Sequence, residues 1–315
     1  MIKEIVNQYK NGEISKNEYG HNMFKVHEIL LEYVTLLNGS LVEDITINKD
    51  SVVVSIKSKD NIVKMKLYDT DEGSIAASVL NNGEYESEEL NMSLKVLSYL
   101  EENSVVLDVG ANLGWYTINI LLDKRDRKIY SFEPIKETYE ILKENLKLNN
   151  IDSQYVFNIG LFNQNKVEEF YFDITGSGAS SIANLRNLET TKKVNCNLMR
   201  LDDFVKENNI ERIDFIKCDV EGSELFVYEG GIKSITKFKP VVFSEMLRKW
   251  SAKFGYHPND IIDLFTNIGY GCYIIKNQNI VEFSKVDEET VEKNYFFLHK
   301  EKHKDIISLL KIDNY

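Results

Sequence analysis

The chain has 315 residues, 43% hydrophobic and 28% charged, the balance of a folded globular protein long enough to bury a sizeable core in one or two domains. Its 50 acidic against 38 basic residues give a formal net charge of −12, which argues against a general nucleic-acid binder, because such a protein needs a basic face for phosphates. No apolar run is long enough to span a bilayer, and charges interrupt Met1-Ile2-Lys3-Glu4-Ile5, so the start does not read as a secretory signal. Three scattered cysteines (Cys196, Cys218, Cys272), with no C-x-x-C pair, read as free thiols of a reducing, cytoplasmic compartment.

Residues up to about 37 read as helix, with Val26, Ile29, Leu30, Val34 and Leu37 on one apolar face and Asn38-Gly39 as the stop. Alternating segments 51–57 and 62–68 predict a β-hairpin. Residues 1–72 thus form a small α+β appendage without a chemical motif. A helix over about 87–101 then leads into strand 105–109, and strand and helix alternate from there: a helix to 122, strand 129–132, a helix through Ile135, Tyr139, Leu142 and Leu146, and a strand at 155–159. Further on come strand 213–218, a helix from Ser223, strand 240–244, a helix over 258–267, and strands near 272–275 and 295–299. Such alternation predicts a mostly parallel sheet with helices on both faces, and the last two strands predict an antiparallel pair at one edge. An insertion with strand-like runs 167–172 and 194–201 brackets the small residues 174–181, which suit either an active-site loop or a plain hairpin tip. The domain reading is 1–72 appendage, 73–300 α/β domain and 301–315 tail.

The chemistry concentrates at strand ends. Val105-Val106-Leu107-Asp108-Val109-Gly110-Ala111-Asn112-Leu113-Gly114 is an apolar strand running into a glycine turn and a helix, the arrangement of a nucleotide-cofactor cradle. A dinucleotide fingerprint wants G-x-G-x-x-G; here Asn112 replaces the second glycine and Gly114 comes early, so D-x-G-x-N-x-G suits a cofactor without a pyrophosphate. Asp108 is placed to anchor an ammonium, and Glu133, ending the next strand, to accept from two ribose hydroxyls. Cofactor contacts are therefore expected at Asp108, Gly110, Asn112, Gly114 and Glu133. Asp219 and Glu221 follow strand 213–218, and Glu245 ends strand 240–244. These three carboxylates are expected to converge as catalytic groups, deprotonating a hydroxyl or holding a divalent metal. His257, before Pro258 at a helix start, is a further candidate base or simply a helix cap.

Together Asp108–Thr117, Phe132-Glu133-Pro134, Gly178–Ser181, Leu201–Phe204 and Ile213–Leu225 make the chain resemble the FkbM family of S-adenosylmethionine-dependent methyltransferases over roughly residues 73–300. The resemblance implies a class I, Rossmann-like, seven-stranded sheet of order 3-2-1-4-5-7-6. It also implies S-adenosylmethionine as cofactor and methyl transfer to a hydroxyl of a sugar, glycan precursor or natural product. The expected partners are thus a small-molecule or glycan acceptor, without nucleic acid; a homo-oligomer is left open. Two rivals stand beside it. A nicotinamide-dependent sugar oxidoreductase or epimerase is disfavoured by Asn112 and by the missing Tyr-x-x-x-Lys pair. A non-catalytic binding module is disfavoured by the intact acids.

Overall fold

The computed structural model describes residues 1–69, 72–123, 126–173, 181–182 and 191–312. The expected N-terminal helix is two, α1 (Ile2–Lys10) and α2 (Lys16–Leu37). The break falls where Ser15 and Glu18 form a capping box: the Ser15 hydroxyl accepts from the Glu18 N–H at 3.3 Å and the Glu18 carboxylate from the Ser15 N–H at 2.8 Å. The apolar face expected on α2 is not buried: Ile29, Leu30 and Val34 stay exposed, and Tyr33 and Leu37 are the α2 side chains that rest on the core.

Strands β1 (Val42–Ile47), β2 (Val52–Ser58) and β3 (Asn61–Leu67) form an antiparallel sheet, one strand larger than the expected hairpin. Its inward residues Val54, Ile56, Val63 and Met65 share one apolar core with Ile118, Leu142 and Leu146 of the α/β body. Two asparagines fasten it there, Asn145 accepting from the Lys66 N–H and Asn149 from the Lys64 N–H. Helices α3 (Ile75–Asn82) and α4 (Ser87–Ser98) then lead into β4 (Val105–Val109), followed by α5 (Trp115–Leu122), β5 (Lys128–Phe132), α6 (Lys136–Leu148) and β6 (Val156–Phe157).

An insertion follows: β7 (Gly160–Leu161), β8 (Lys166–Asp173) and β9 (Thr191–Met199) make a separate small sheet in which β8 and β9 pair antiparallel. Residues 174–180 of the expected loop lie outside the described residues; Ser181 pairs back to Tyr171. The chain resumes with α7 (Leu201–Glu207), β10 (Phe215–Cys218), α8 (Glu224–Gly230), α9 (Ile232–Phe238), β11 (Val241–Glu245), α10 (Arg248–Ser251), α11 (Pro258–Asn267), β12 (Tyr270–Lys276), β13 (Asn279–Phe283), β14 (Asn294–His299) and α12 (Lys304–Leu310). Helix α12 falls within the segment read as a tail, and it buries Ile306 and Leu310 in the core.

The main sheet is mixed and has eight strands, in the order β13-β12-β14-β11-β10-β4-β5-β6, which corrects the expected count of seven. The extra edge strand β13 arises because Asn277 and Gln278, both left-handed (φ 52° and 58°), fold the chain back on β12. The run from β6 to β11 is parallel; β14, β12 and β13 are added antiparallel. Alternate residues serve opposite cores. Val106, Ile129, Phe215 and Phe296 pack on one side, while Leu107, Tyr130, Ile216 and Phe297 pack on the other. Apolar burial on both faces leaves the carboxyl ends of β4, β5, β10 and β11 as the place where polar side chains gather.

Candidate active site

Those strand ends open on a cavity of about 220 Å³. The turn after β4 is built from left-handed residues: Gly110 (φ 76°), Asn112 (φ 48°) and Gly114 (φ 96°). At Gly110 only a glycine fits, because an added Cβ would lie 1.8 Å from the Asp219 carbonyl oxygen. The turn after β4 and the turn after β10 therefore touch, backbone to backbone.

Glu133 lines the cavity and is 6% exposed. Its Oε2 accepts from the Asn112 N–H at 3.0 Å and its Oε1 from the Ile135 N–H at 2.9 Å. Burial pushes this carboxyl up to about 7, against the opposing pull of those two N–H groups and of Lys217. Each carboxylate oxygen still has a second acceptor direction, which leaves Glu133 capable of taking hydroxyl donors. Asn112 lines the same wall, and its buried side-chain oxygen has no hydrogen-bond partner among the described residues.

Two residues expected to touch a cofactor stand elsewhere. Asp108 is 1% exposed and is not a lining residue: its Oδ2 accepts from the Thr117 hydroxyl at 2.6 Å and its Oδ1 lies 3.8 Å from Lys217 Nζ. Gly114 also lies off the wall. It precedes α5, and a Cβ there would meet Leu142 at 2.4 Å, so its smallness serves helix packing.

The second group does converge. Asp219, Glu221 and Glu245 line the cavity, and one oxygen from each lies within 4.8 Å of the others. Glu221 and Gly222 are both left-handed (φ 53° and 98°). The buried Glu224 holds that turn by accepting from the Val220 and Gly222 N–H groups at 3.1 and 3.0 Å. Burial pushes the Glu224 carboxyl up to about 7. Burial first, and then Asp219 and Glu221, push the Glu245 carboxyl well above its ordinary value, toward the neutral form. His257, in contrast, is exposed and off the cavity. Its Nδ1 accepts from the Asn259 N–H at 3.2 Å and caps α11, the second of the two roles expected for it.

Three residues given no role from the sequence complete the site. Lys217, 5% exposed, donates to the Gly110 carbonyl at 2.9 Å and lies 3.5 Å from Asp219 Oδ2. Burial alone would lower its ammonium, but Asp219, Asp108 and Glu86 outweigh that and hold it above its ordinary value. Tyr85 and Glu86, from the α3–α4 connection, also line the cavity. No motif marks them; they merely precede the helix that starts at Ser87. Phe162, Phe170, Ile182 and Leu198, from the inserted sheet and its connections, add apolar lining, and the Ser181 hydroxyl donates to the Glu221 carbonyl at 3.0 Å.

The profile of the methyltransferase FkbM domain matches residues 108–272, just over half the chain. Among curated proteins, the 2-O-methyltransferase NoeI of Sinorhizobium fredii is 26% identical over 162 residues, spanning 47% of this chain and 66% of its own length. Methyltransferase 1 of Beauveria bassiana is 25% identical over 146 residues, spanning 41% of this chain and 59% of its own. The chain thus spans about three-fifths of the length of these curated relatives. A solved methyltransferase FkbM from Methylobacillus flagellatus overlaps 70% of this chain and 53% of its own at 15% identity, with a TM-score of 0.42.

Proposed function

The chain belongs to the FkbM methyltransferase family, and from that membership we propose that it is an S-adenosylmethionine-dependent O-methyltransferase acting on a hydroxyl of a sugar, glycan precursor or natural product. The observation that carries this reading is the division of one cavity. Glu133, Asn112 and Gly110 line it as one group, and Asp219, Glu221 and Glu245, one oxygen of each within 4.8 Å of the others, line it as a second group that meets the first where the Gly110 and Asp219 turns touch. The first group fits the cofactor: a buried glutamate with acceptor capacity for ribose hydroxyls, an orphaned asparagine oxygen, and a turn whose glycine lets the backbone approach closely. Asp108 would act there indirectly, through Thr117 and through Lys217, which donates to the Gly110 carbonyl. When bound, S-adenosylmethionine supplies an electrophilic methyl on a sulfonium.

The protein's part is to align the acceptor oxygen and take its proton. Glu245 is pushed toward its neutral form and His257 lies off the cavity, which leaves Asp219 and Glu221 for that task. Lys217 holds Asp219 and the Gly110 turn in fixed relation. A second reading is favoured by the 4.8 Å clustering of three carboxylates: a divalent cation held there would lower the hydroxyl's pKa.

Calorimetry with S-adenosylhomocysteine and mass spectrometry of ligand retained on purification test the first reading. Expected are binding to the wild type and a loss of about 1–3 kcal/mol for Glu133→Ala. A retained nicotinamide, or unchanged affinity in folded Glu133→Ala, would overturn it. Chelator followed by magnesium or manganese decides between base and cation. Turnover indifferent to chelator supports the base, and turnover lost and restored supports the metal.

A further inference from the structure

Helix α2 runs for 22 residues, about 33 Å, and buries none of its side chains fully. From Met23 to Leu37, ten of fifteen residues are apolar, more than the one face turned to the chain's own core can take. Tyr33 and Leu37 occupy that face. Helix α1 lies along the first half of α2, with the Tyr9 and Tyr19 rings stacked at 4.4 Å between centroids, and Met23 and Val26 are half-buried. The other apolar side chains face outward: Phe24 is 58% exposed, Leu30 51%, Leu31 67% and Val34 70%. A helix apolar around most of its circumference is stable when it is covered on all those sides.

The exposed residues form a seam. Phe24, His27, Leu31 and Val34 follow one another at spacings of three, four and three, the a and d positions of a coiled-coil heptad, and Leu30 flanks them on the same side. The exposed apolar area of Phe24, Leu30, Leu31 and Val34 is on the order of 450 Å², as large as the biggest patch of a typical monomer. A second copy of the seam doubles it to about 900 Å², and the flanking polar residues carry the total into the size class of a specific interface.

Charge selects the occupant and its direction. Residues 1–37 hold four lysines against five glutamates, which gives an anionic lipid surface nothing to attract. Along α2 the lysines come early (Lys16, Lys25), and Glu28 and Glu32 come late. Two α2 helices laid antiparallel, with a twofold axis at the level of Ile29, set the large Phe24 on the partner's smaller Val34 and Leu31 on the partner's His27. The same register brings Lys25 toward the partner's Glu28 and Glu32, where a parallel pair would place each charge beside its own kind. The seam is thus complementary to itself, the requirement of an isologous contact.

We propose that this face of α2 is the contact surface of a homodimer, two copies of the chain packing their α2 helices antiparallel through Phe24, His27, Leu31 and Val34. No α2 residue is among the described residues that line the active-site cavity, so the proposal stands apart from the methyl-transfer reading.

The test is sedimentation equilibrium of the full chain across the micromolar range. Expected is a mass twice the 36.5 kDa of one chain. Leu31→Glu and Val34→Glu should each weaken association about a hundredfold or more, with helix content by circular dichroism unchanged, because both side chains are exposed in the single chain. Lys25→Glu should weaken it about threefold or more, and adding Glu28→Lys to the same chain should restore it. A wild type that stays at 36.5 kDa throughout would overturn the proposal, whether or not it floats with vesicles of equal parts phosphatidylcholine and phosphatidylserine, which would make the face a lipid-binding one. A dimer indifferent to Leu31→Glu and Val34→Glu would overturn it by placing the contact elsewhere, and a dimer that the double charge exchange leaves weakened would overturn the antiparallel pairing.

Discussion

Replacing Glu133 by glutamine isolates a titration written into the fold. The wild-type carboxylate satisfies two buried N–H groups, those of Asn112 and Ile135. A glutamine side chain offers one oxygen and one NH₂, so one of the two N–H groups loses its acceptor and faces a donor, at a cost of about 1–3 kcal/mol. Against this stands the cost of keeping a charge in the interior. Glu133 is pushed up from 4.5 to about 7, mainly by burial. Below pH 4.5 folded and unfolded chains both hold the proton. Between 4.5 and 7 the unfolded chain has lost it and the folded chain has not, so wild-type stability falls with rising pH, and above 7 the loss is complete. Evaluated from pH 5 to pH 8 that contribution is about 2.5 kcal/mol, and Glu133→Gln lacks it. At pH 5 the folded wild type is the neutral acid, whose hydroxyl oxygen can still accept from an N–H where a glutamine NH₂ cannot, so the variant is expected to be less stable there and to approach or overtake wild type at pH 8. Denaturant unfolding of both proteins at several pH values measures the difference directly. A stability gap that stays constant from pH 5 to pH 8 would refute the reasoning, since it would mean that Glu133 ionises alike in folded and unfolded chains.

Asp219→Asn and Glu221→Gln should each lower turnover by about 10²-fold or more while leaving S-adenosylhomocysteine affinity near wild type; full activity in both would make the pair structural. Gly110→Ala should cost about 1–3 kcal/mol or more in denaturant unfolding and weaken cofactor binding, because its Cβ would sit 1.8 Å from the Asp219 carbonyl on a left-handed backbone. Wild-type stability there would mean that the two turns can part. His257→Ala should retain turnover and lose about 0.5–2 kcal/mol of stability as the α11 cap is removed; a turnover loss with stability intact would return His257 to the chemistry.

The elements that carry the site were legible because they obey local rules. The β4, β5, β10 and β11 segments are apolar runs that end in an acid or a glycine turn, and the parallel order puts those ends side by side, so Glu133, Asp219, Glu221 and Glu245 could be grouped before any coordinates. What stayed hidden depends on contacts remote in sequence. Whether Asp108 faces the cavity or the interior is decided by Thr117 and Lys217, nine and 109 positions away. Whether α2 buries its apolar stripe depends on what the rest of the chain lays against it, and periodicity alone says nothing of that. The edge strand β13 hangs on a two-residue turn of Asn277 and Gln278, which lacks the glycine that usually signals a hairpin.

The same division accounts for Glu86. Its place on the cavity follows from how α4 packs against the sheet, burying Leu90, Leu94 and Leu97 in the core shared with Val106 and Phe296, and this brings the residue before the helix to the mouth of β10. Four carboxylates around one cavity repel one another, and the fold answers in two ways. Lys217 offsets part of the charge from behind the wall, and burial with its neighbours pushes Glu245 toward its neutral form. The result is a set of carboxylates in unlike surroundings, with Asp219 beside the Lys217 ammonium and Glu245 buried and pushed toward the neutral acid.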